Sequence, residues 1–436
     1  MKTTLRKSLV AVAVLAAWSG ARAEGSYVEV YGILDVGVAT VAHSLPANNA
    51  LPAGINPLNT GGMDGNFANR ESAMVNGGMQ YSRWGIKGSE DLGGGAKAIF
   101  TFESGFNPLN GALTDNSASV LANAASNGGT ANSSSNGAGS VNGQIFGRQA
   151  WVGFSEPDWG TVMFGRNYNQ IYDVMSAYDP VFKSDIMSPL GFSGTLGGGG
   201  GVTENTRIDN SIKYKNQFGA VNVGALYKLG ASDGSAPGTG YALNVGYEEG
   251  AFGIQGVYEQ FRDVGNLGIS SGRATVTVYD TEAWLLAAKY KFDKLTVKGG
   301  FELYKLRAPS NAPATAYDYF GTSAIVGAAG TDVAAVGYSA APQEVKVAFI
   351  GGDYNLTQAF NIAVGLYDVR YESYLSGGTQ KPAGDIYWST VVADYRFSKR
   401  TDVYGGFVYI NYSGDKYASA IYKTNSLGMV GIRHKF

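Results

Sequence analysis

From Tyr27 onward, apolar and polar residues alternate with a period of two in one short segment after another, as strands do when their two faces meet different media. In the first segment Val28, Val30, Leu34, Val36 and Val38 share one parity, and Glu29, Tyr31 and Asp35 hold the other. SRWGIKGSE sets Trp84 and Ile86 against Arg83, Lys87 and Ser89, and AKAIFTFESGF sets Ala98, Phe100 and Phe102 against Lys97, Thr101 and Glu103. In IFGRQAWVGF the alternation slips, because Trp151 and Phe154 cannot share the apolar face without a bulge; Arg148 is assigned to the polar face across that slip. RIDNSIKYKN places Arg207, Asp209, Ser211, Lys213 and Lys215 on the polar side, with Ile208, Ile212 and Tyr214 opposite. Counted through to NSLGMVGIRHKF at the C-terminus, the segments number sixteen.

Their connections alternate in length. DLGGG, SEPDWG, QFG, EEG, FDK, NLTQ and SKR are short, and the connections between them are long and mostly rich in Gly, Ser, Asn and Ala. This predicts an antiparallel barrel with tight turns at one end, long loops at the other, and both termini on the tight-turn side. Tyr290, Phe292, Tyr354, Tyr395 and Phe397 stand at strand ends beside the short turns, where amphipathic rings settle at a membrane interface. A soluble sandwich rarely keeps aromatic residues at strand ends over so many hairpins. Thr40–Gly78 reads as a loop, and Asn107–Asn142 as a low-complexity surface loop that cannot bury a core of its own. The third long connection, Asn169–Asn205, has no clean period of two. It carries Tyr172, Tyr178, Pro180 and Phe182 as apolar anchors among Asp173, Asp179 and Asp185. A stretch of that length inside a compact domain is a functional loop, here expected to fold back into the barrel and narrow it.

Composition closes off other readings. Lys2, Arg6 and Lys7, the apolar run Leu9–Trp18 and Ala21-Arg22-Ala23 read as a signal peptide over residues 1–23, leaving 24–436 as the barrel. Removing it takes four basic and no acidic residues from 33 and 35, so 29 face 35 and the net charge is −6, which argues against nucleic-acid binding. With no cysteine there is neither a disulfide nor a thiolate metal site. A mean hydropathy of −0.08 suits a barrel, in which only alternate residues meet lipid. GASDG (230–234) and GISSG (268–272) match the nucleophile-elbow pattern but lie in loops with no helix following. His43 and His434 are the only histidines, so neither a catalytic triad nor a zinc site has its parts. No enzyme, cofactor or metal is expected.

VYGILDVGV, SRWGIKGSEDLGGGAKAIFTFESGF, GRQAWVGF with WGTVMFGRNY, NSIKY and the final GIRHKF together resemble the general porins of Gram-negative bacteria, in their beta-proteobacterial form. The resemblance implies an all-β, 16-stranded antiparallel transmembrane barrel in the outer membrane, a homotrimer among lipid and lipopolysaccharide, and a third loop, residues 169–206, folded into the lumen as the constriction. It also implies a C-terminal assembly signal of Phe436, His434 and Ile432 read by the barrel assembly machinery. An arginine cluster facing the inserted loop would fall on Arg83, Arg148 and Arg207.

A barrel of this width leaves an aqueous channel. Passive passage of ions and small hydrophilic solutes then depends on the narrowest ring, where basic wall residues (Arg83, Arg148, Arg207, Lys87, Lys97) oppose loop acids (Asp173, Asp179, Asp185), with Asp35, Glu103 and Asp209 elsewhere in the lumen. Guanidinium groups stay charged and are weakly hydrated, so they touch a passing anion and release it. The expectation is weak anion selectivity. The alternatives are a channel selective for phosphate or organic acids, served by a ladder of Arg83, Lys87, Lys97, Lys213 and Lys215, a cation-selective porin, a wall cluster that only pairs with Glu103, Asp35 or Asp209, or an adhesin displaying its loops.

Overall fold

The computed structural model describes residues 25–42, 70–111, 113, 145–190, 207–229, 239–261, 280–307, 343–376, 379–417 and 424–436. The strands are β1 (Tyr27–Ala42), β2 (Arg70–Asn76), β3 (Arg83–Gly93), β4 (Ala96–Gly105), β5 (Gln149–Glu156), β6 (Gly160–Tyr168), β7 (Arg207–Phe218), β8 (Val221–Lys228), β9 (Gly240–Glu249) and β10 (Phe252–Phe261). They continue as β11 (Asp280–Phe292), β12 (Leu295–Arg307), β13 (Gln343–Asn355), β14 (Phe360–Tyr371), β15 (Tyr374–Ser376), β16 (Thr379–Lys381), β17 (Gly384–Arg396), β18 (Thr401–Ser413) and β19 (Thr424–Lys435). Helix α1 (Gln170–Tyr178) follows β6. Each long strand pairs antiparallel with its chain neighbours, apart from β2 and β3, which pair with β1 and not with each other, and β15 and β16, which form a separate two-stranded hairpin between β14 and β17.

The sheet closes where β1 meets β19, with Leu34 opposite His434 and Val36 opposite Ile432. Phe436 extends that seam by exchanging two backbone hydrogen bonds of 3.0 Å with Gly32. Closure leaves no edge to face hydrocarbon, where an unpaired peptide group is too costly to keep.

Seventeen hydrogen-bonded strands make sixteen staves, because β2 and β3 share one. Val36–Ala42 of β1 pairs with β2 and Tyr27–Ile33 pairs with β3, while residues 77–82 break the stave between them. The reading of Thr40–Gly78 as loop is therefore corrected at both ends, since Thr40–Ala42 belong to β1. RESAMVN is a strand, and it completes hydrogen bonds that the upper half of β1 would otherwise lack.

Parity holds along most of the wall. Val30, Leu243, Val245, Leu286, Ile350 and Val430 are exposed on the outside, and Lys213, Glu259, Glu302, Asp394 and Arg433 are buried within. Tyr290 and Phe292, Phe360 and Tyr395, and Tyr395 and Phe397 make ring contacts at 4.4, 6.4 and 5.3 Å along the tight-turn rim. At the other end Tyr258 packs on Trp284 at 4.2 Å.

Two local departures have physical causes. Val152 and Phe154 point outward, while Trp151 turns inward and its indole N–H donates to Gln149 Oε1 at 3.0 Å; Arg148 precedes the strand, on a bend. In β7, Asn210 has a positive φ of 51° and the register to β6 shifts between Gly165 and Asn167. Ile208, expected outside, is accordingly buried with Leu226, Ala242 and Phe261. Residues 1–24, with the expected signal peptide, and most of the long connections lie outside the described residues.

Asp35 braces the broken stave. Its carboxylate accepts the backbone N–H groups of Met79 and Gln80 at 3.1 and 2.8 Å and the Tyr404 hydroxyl at 2.5 Å. Replacing it strands the buried Met79 amide, the half-buried Gln80 amide and a buried phenol. Asp35→Ala is expected to cost about 3 kcal/mol, read as a lowered urea midpoint of the barrel in detergent micelles; an unchanged midpoint would count against the brace.

Candidate functional site

After β6 the chain turns into the barrel. Asn169 caps α1, its side chain accepting the Tyr172 N–H at 2.7 Å, and Asp173 sits in the first turn, where the helix dipole favours negative charge. Gln170, Ile171, Val174, Met175 and Tyr178 are the buried face, spaced as one side of a helix. That spacing is visible in NQIYDVMSAY, a stretch read above as loop with apolar anchors and not tested for a helical period.

Successive staves hold this segment against one side of the lumen. Asn169 donates to Glu259 Oε1 of β10 at 2.8 Å, and the Tyr178 hydroxyl donates to Glu248 Oε1 of β9 at 2.6 Å. The Tyr367 hydroxyl of β14 donates to Asp179 Oδ1 at 2.5 Å, and the Trp388 indole of β17 donates to the Met187 carbonyl at 3.1 Å. Wall glycines make the close approach possible: a Cβ on Gly224, Gly253, Gly351 or Gly406 would come within 3 Å of Gln170, Tyr178, Pro180 or Met187. The segment ends on the broken stave, where Asp185 N–H and Ile186 N–H donate to the carbonyls of Met79 and Gly78, both at 3.3 Å.

Across from it stand β3 to β6. Glu103 gathers the wall, accepting from Arg148 Nε at 2.7 Å, the Tyr168 hydroxyl at 2.8 Å and the Tyr31 hydroxyl at 3.0 Å, with Arg83 Nε 3.6 Å away. Tyr168 stacks on Tyr172 of α1, centroids 4.1 Å apart and planes within 7°. Arg148 lies over the Tyr168 ring at 5.8 Å and Lys183 over the Tyr172 ring at 3.7 Å. Lys183 thus covers one face of the stacked pair, and Arg148, whose Nη2 also reaches the Tyr172 hydroxyl at 3.4 Å, stands at its hydroxyl end; ring quadrupole and cation attract in such contacts.

The residues singled out from sequence separate into groups. Arg83, Arg148 and Glu103 come together; Arg207, opposite Tyr168 in register, shares an electrostatic neighbourhood with Arg148. Lys87 pairs with Glu29 at 3.4 Å nearer the tight-turn end, and Lys97 lines a cavity at that rim with Glu156 and Lys215. Lys213 and Lys215 both bind the Asp173 carboxylate, the former at 2.6 Å, so they anchor α1 and form no free ladder. Asp35 is buried in its brace. The Asp209 side chain is outside the described residues. Ile432 and His434 face outward beside the seam, with His434 Nδ1 2.9 Å from Thr401 Oγ1.

The three loop acids differ. Asp173 feels burial pushing its carboxyl up, but Lys213 and Lys215 outweigh that and hold it below its usual range. Asp179, wholly buried, is raised by burial in spite of its bonds to Ser188, Tyr367 and Val181. Asp185 is raised to about 6, burial outweighing Lys183, Arg148, Arg83 and the Tyr81 N–H. Tyr172 moves the other way, to about 8, because Lys183, Arg148 and Arg83 outweigh its burial. Lys183 and the tyrosine pair were missed in the sequence; nothing in local pattern tells that Lys183, with its positive φ of 50°, turns onto a ring eleven residues earlier.

A closed barrel with sixteen staves, an apolar outside, aromatic rims and a charged lumen defines a water-filled pore across an outer membrane. The sequence matches the family described as Gram-negative porin over residues 11–415. It is 26% identical over 453 residues to an outer membrane porin protein of Bordetella pertussis, spanning 99% of this chain and 100% of that one. It is 28% identical over 333 residues to outer membrane porin protein 32 of Delftia acidovorans, spanning 75% and 78%. Among solved structures, an anion-selective porin from Comamonas acidovorans superposes with a TM-score of 0.58 at 18% identity, over 94% of this chain and 100% of that one. The chain belongs to the Gram-negative porin family and is an outer-membrane diffusion channel.

Asp179 is the tether on which the inserted segment turns. Asp179→Ala removes acceptors for Val181, Tyr367 and Ser188, loosening the segment by about 2–4 kcal/mol. Open-channel current noise in planar bilayers is expected to rise; a trace as quiet as the wild type would show that the segment is held elsewhere.

Proposed function

We propose that the segment beginning at Asn169 is the constriction of a general diffusion pore and that the pore prefers anions. The observation that carries this is the charge count where segment and wall face each other: Arg83, Arg148, Arg207 and Lys183 against Glu103 and Asp185, two positive charges in excess. Low-dielectric walls focus such a field, and the lowered Tyr172 phenol is what a positive local potential produces. The Comamonas relative described as anion-selective agrees with it. Ion pairing with Glu103 does not cancel the preference, because two arginines share one carboxylate.

Passage is passive on this reading, without a catalytic centre. The family resemblance supports a homotrimer among outer-membrane lipid and lipopolysaccharide, with Phe436, Ile432 and His434, all on the seam, presented to the assembly machinery.

The zero-current potential under a KCl gradient tests the preference. Wild-type protein is expected to give the chloride sign. Arg83→Ser or Arg148→Ser should lower the chloride-to-potassium permeability ratio about sevenfold each, since one charge ~7 Å from the ion path in a water-like medium shifts the two ions in opposite directions. A potassium sign in the wild type would overturn the assignment.

Proton concentration should act in a defined direction. Asp185 is ionised above about 6 and neutral below it. Lowering the pH from 7.5 to 5 therefore removes one negative charge beside Arg83 and Arg148, and chloride preference should rise. In Asp185→Asn it should already be high at pH 7.5 and change little; an equal pH response in that variant would rule Asp185 out as its source.

A further inference from the structure

A second charged station lies between the inserted segment and the tight-turn rim. A cavity of about 670 Å³ opens there beneath Phe182, lined by Arg396, Lys399, Asp394, Asp402, Arg433 and Lys435 among others. Its wall is a row across strands: Arg396 of β17 is opposite Asp402 of β18, Asp402 is opposite Arg433 of β19, and Arg433 is opposite Asp35 of β1. The carboxylates are taken up by the arginines. Arg433 holds Asp402 through Nε and Nη2 at 3.1 and 3.2 Å, and Arg396 Nε is 3.5 Å from Asp394.

Lys399 and Lys435 are left over. Neither has a carboxylate within 4 Å among the described residues, although Asp402 and Asp394 lie near enough to attract the Lys435 ammonium. Lys435 shares the lumen parity of Arg433, two residues before it on β19, so its ammonium serves the vestibule and not the lipid headgroups. Lys399 stands in the turn joining β17 and β18. Four cations and two acids line the chamber, and both excess charges are ammonium groups at its outer end. An ammonium is a compact, strongly hydrated point charge on a flexible stem, suited to holding an ion briefly.

We propose that this vestibule is a binding station for small dianions, such as dicarboxylates, entered from the tight-turn side. Two ammonium groups favour a solute with two charges over one with a single charge, and the arginines behind them take up Asp394 and Asp402, so those carboxylates offset little of the ammonium charge. The station lies on other strands than the Arg83–Arg148 cluster, so it goes beyond the anion preference proposed above and does not depend on it.

Succinate and acetate, matched for ionic strength at pH 7.5 and added to each side of a single oriented channel carrying chloride current, provide the test. Succinate should reduce the current at about tenfold lower concentration than acetate, and more strongly from one side. In the double variant Lys399→Gln/Lys435→Gln both the preference and the sidedness should disappear, with the folded barrel's heat-modifiable gel mobility retained. Equal block by succinate and acetate, or block unchanged in the double variant, would overturn the station. If the wild type shows a potassium sign in the KCl gradient while the lysine-dependent succinate block persists, the constriction assignment falls and the vestibule stands.

Discussion

In hydrocarbon a peptide group without a partner cannot be left alone, and nearly every feature of this chain answers to that constraint. It forces the strands to close on themselves at the β1–β19 seam and makes Phe436 useful as two more hydrogen bonds beside Gly32. It also explains the broken stave. The gap at 77–82 turns backbone groups away from the sheet, and they are taken up inside the barrel by the Asp35 carboxylate and by the N–H groups of Asp185 and Ile186. A defect in the wall thus becomes the docking place for the end of the inserted segment.

The lumen is asymmetric for the same structural reason. The segment from Asn169 to Leu190 lies along the staves from β8 to β18, where small wall residues admit it and Tyr367, Trp388 and Glu248 bond to it. The opposite wall, β3 to β6, meets the segment through charged and aromatic groups. Arg83, Arg148 and Glu103 stand there, with the Tyr168–Tyr172 stack joining wall to segment. Charges that merely braced the fold would be expected to balance; in the proposed reading the excess is positive where segment and wall meet. Below it the row from Arg396 to Asp35 alternates in sign across four strands, and the vestibule's two lysines stand toward the rim.

Much of this was legible because barrel strands code their faces locally. The outward positions of Val28, Leu243 and Ile350, the inward ones of Arg83 and Lys213, and the rim tyrosines follow from a period of two that needs no knowledge of neighbours. The same reasoning failed at Ile208 and left open which of Trp151 and Phe154 turns inward. There a positive-φ Asn210 and a bend before Gln149 reset the parity, and neither is marked by a residue type that demands it. Helix α1 was readable too, from Ile171, Val174, Met175 and Tyr178, but only on a template of 3.6.

By itself, then, the sequence determined the number of staves, their faces, the end that carries tight turns and the likeness to a family, since each rests on contacts between residues near in the chain or on alternation along it. The tertiary structure alone decided which charges meet. Asp179 and Asp185 differ by six residues, yet one is sealed against Tyr367 and the other faces Arg83 and Arg148. Lys213 and Lys215, candidates for a permeation ladder, are instead drawn to Asp173, while Arg433 and Lys435, at the far end of the chain, line the vestibule. Electrostatic partnership depends on distance in space, and in a closed barrel the last strand is the neighbour of the first.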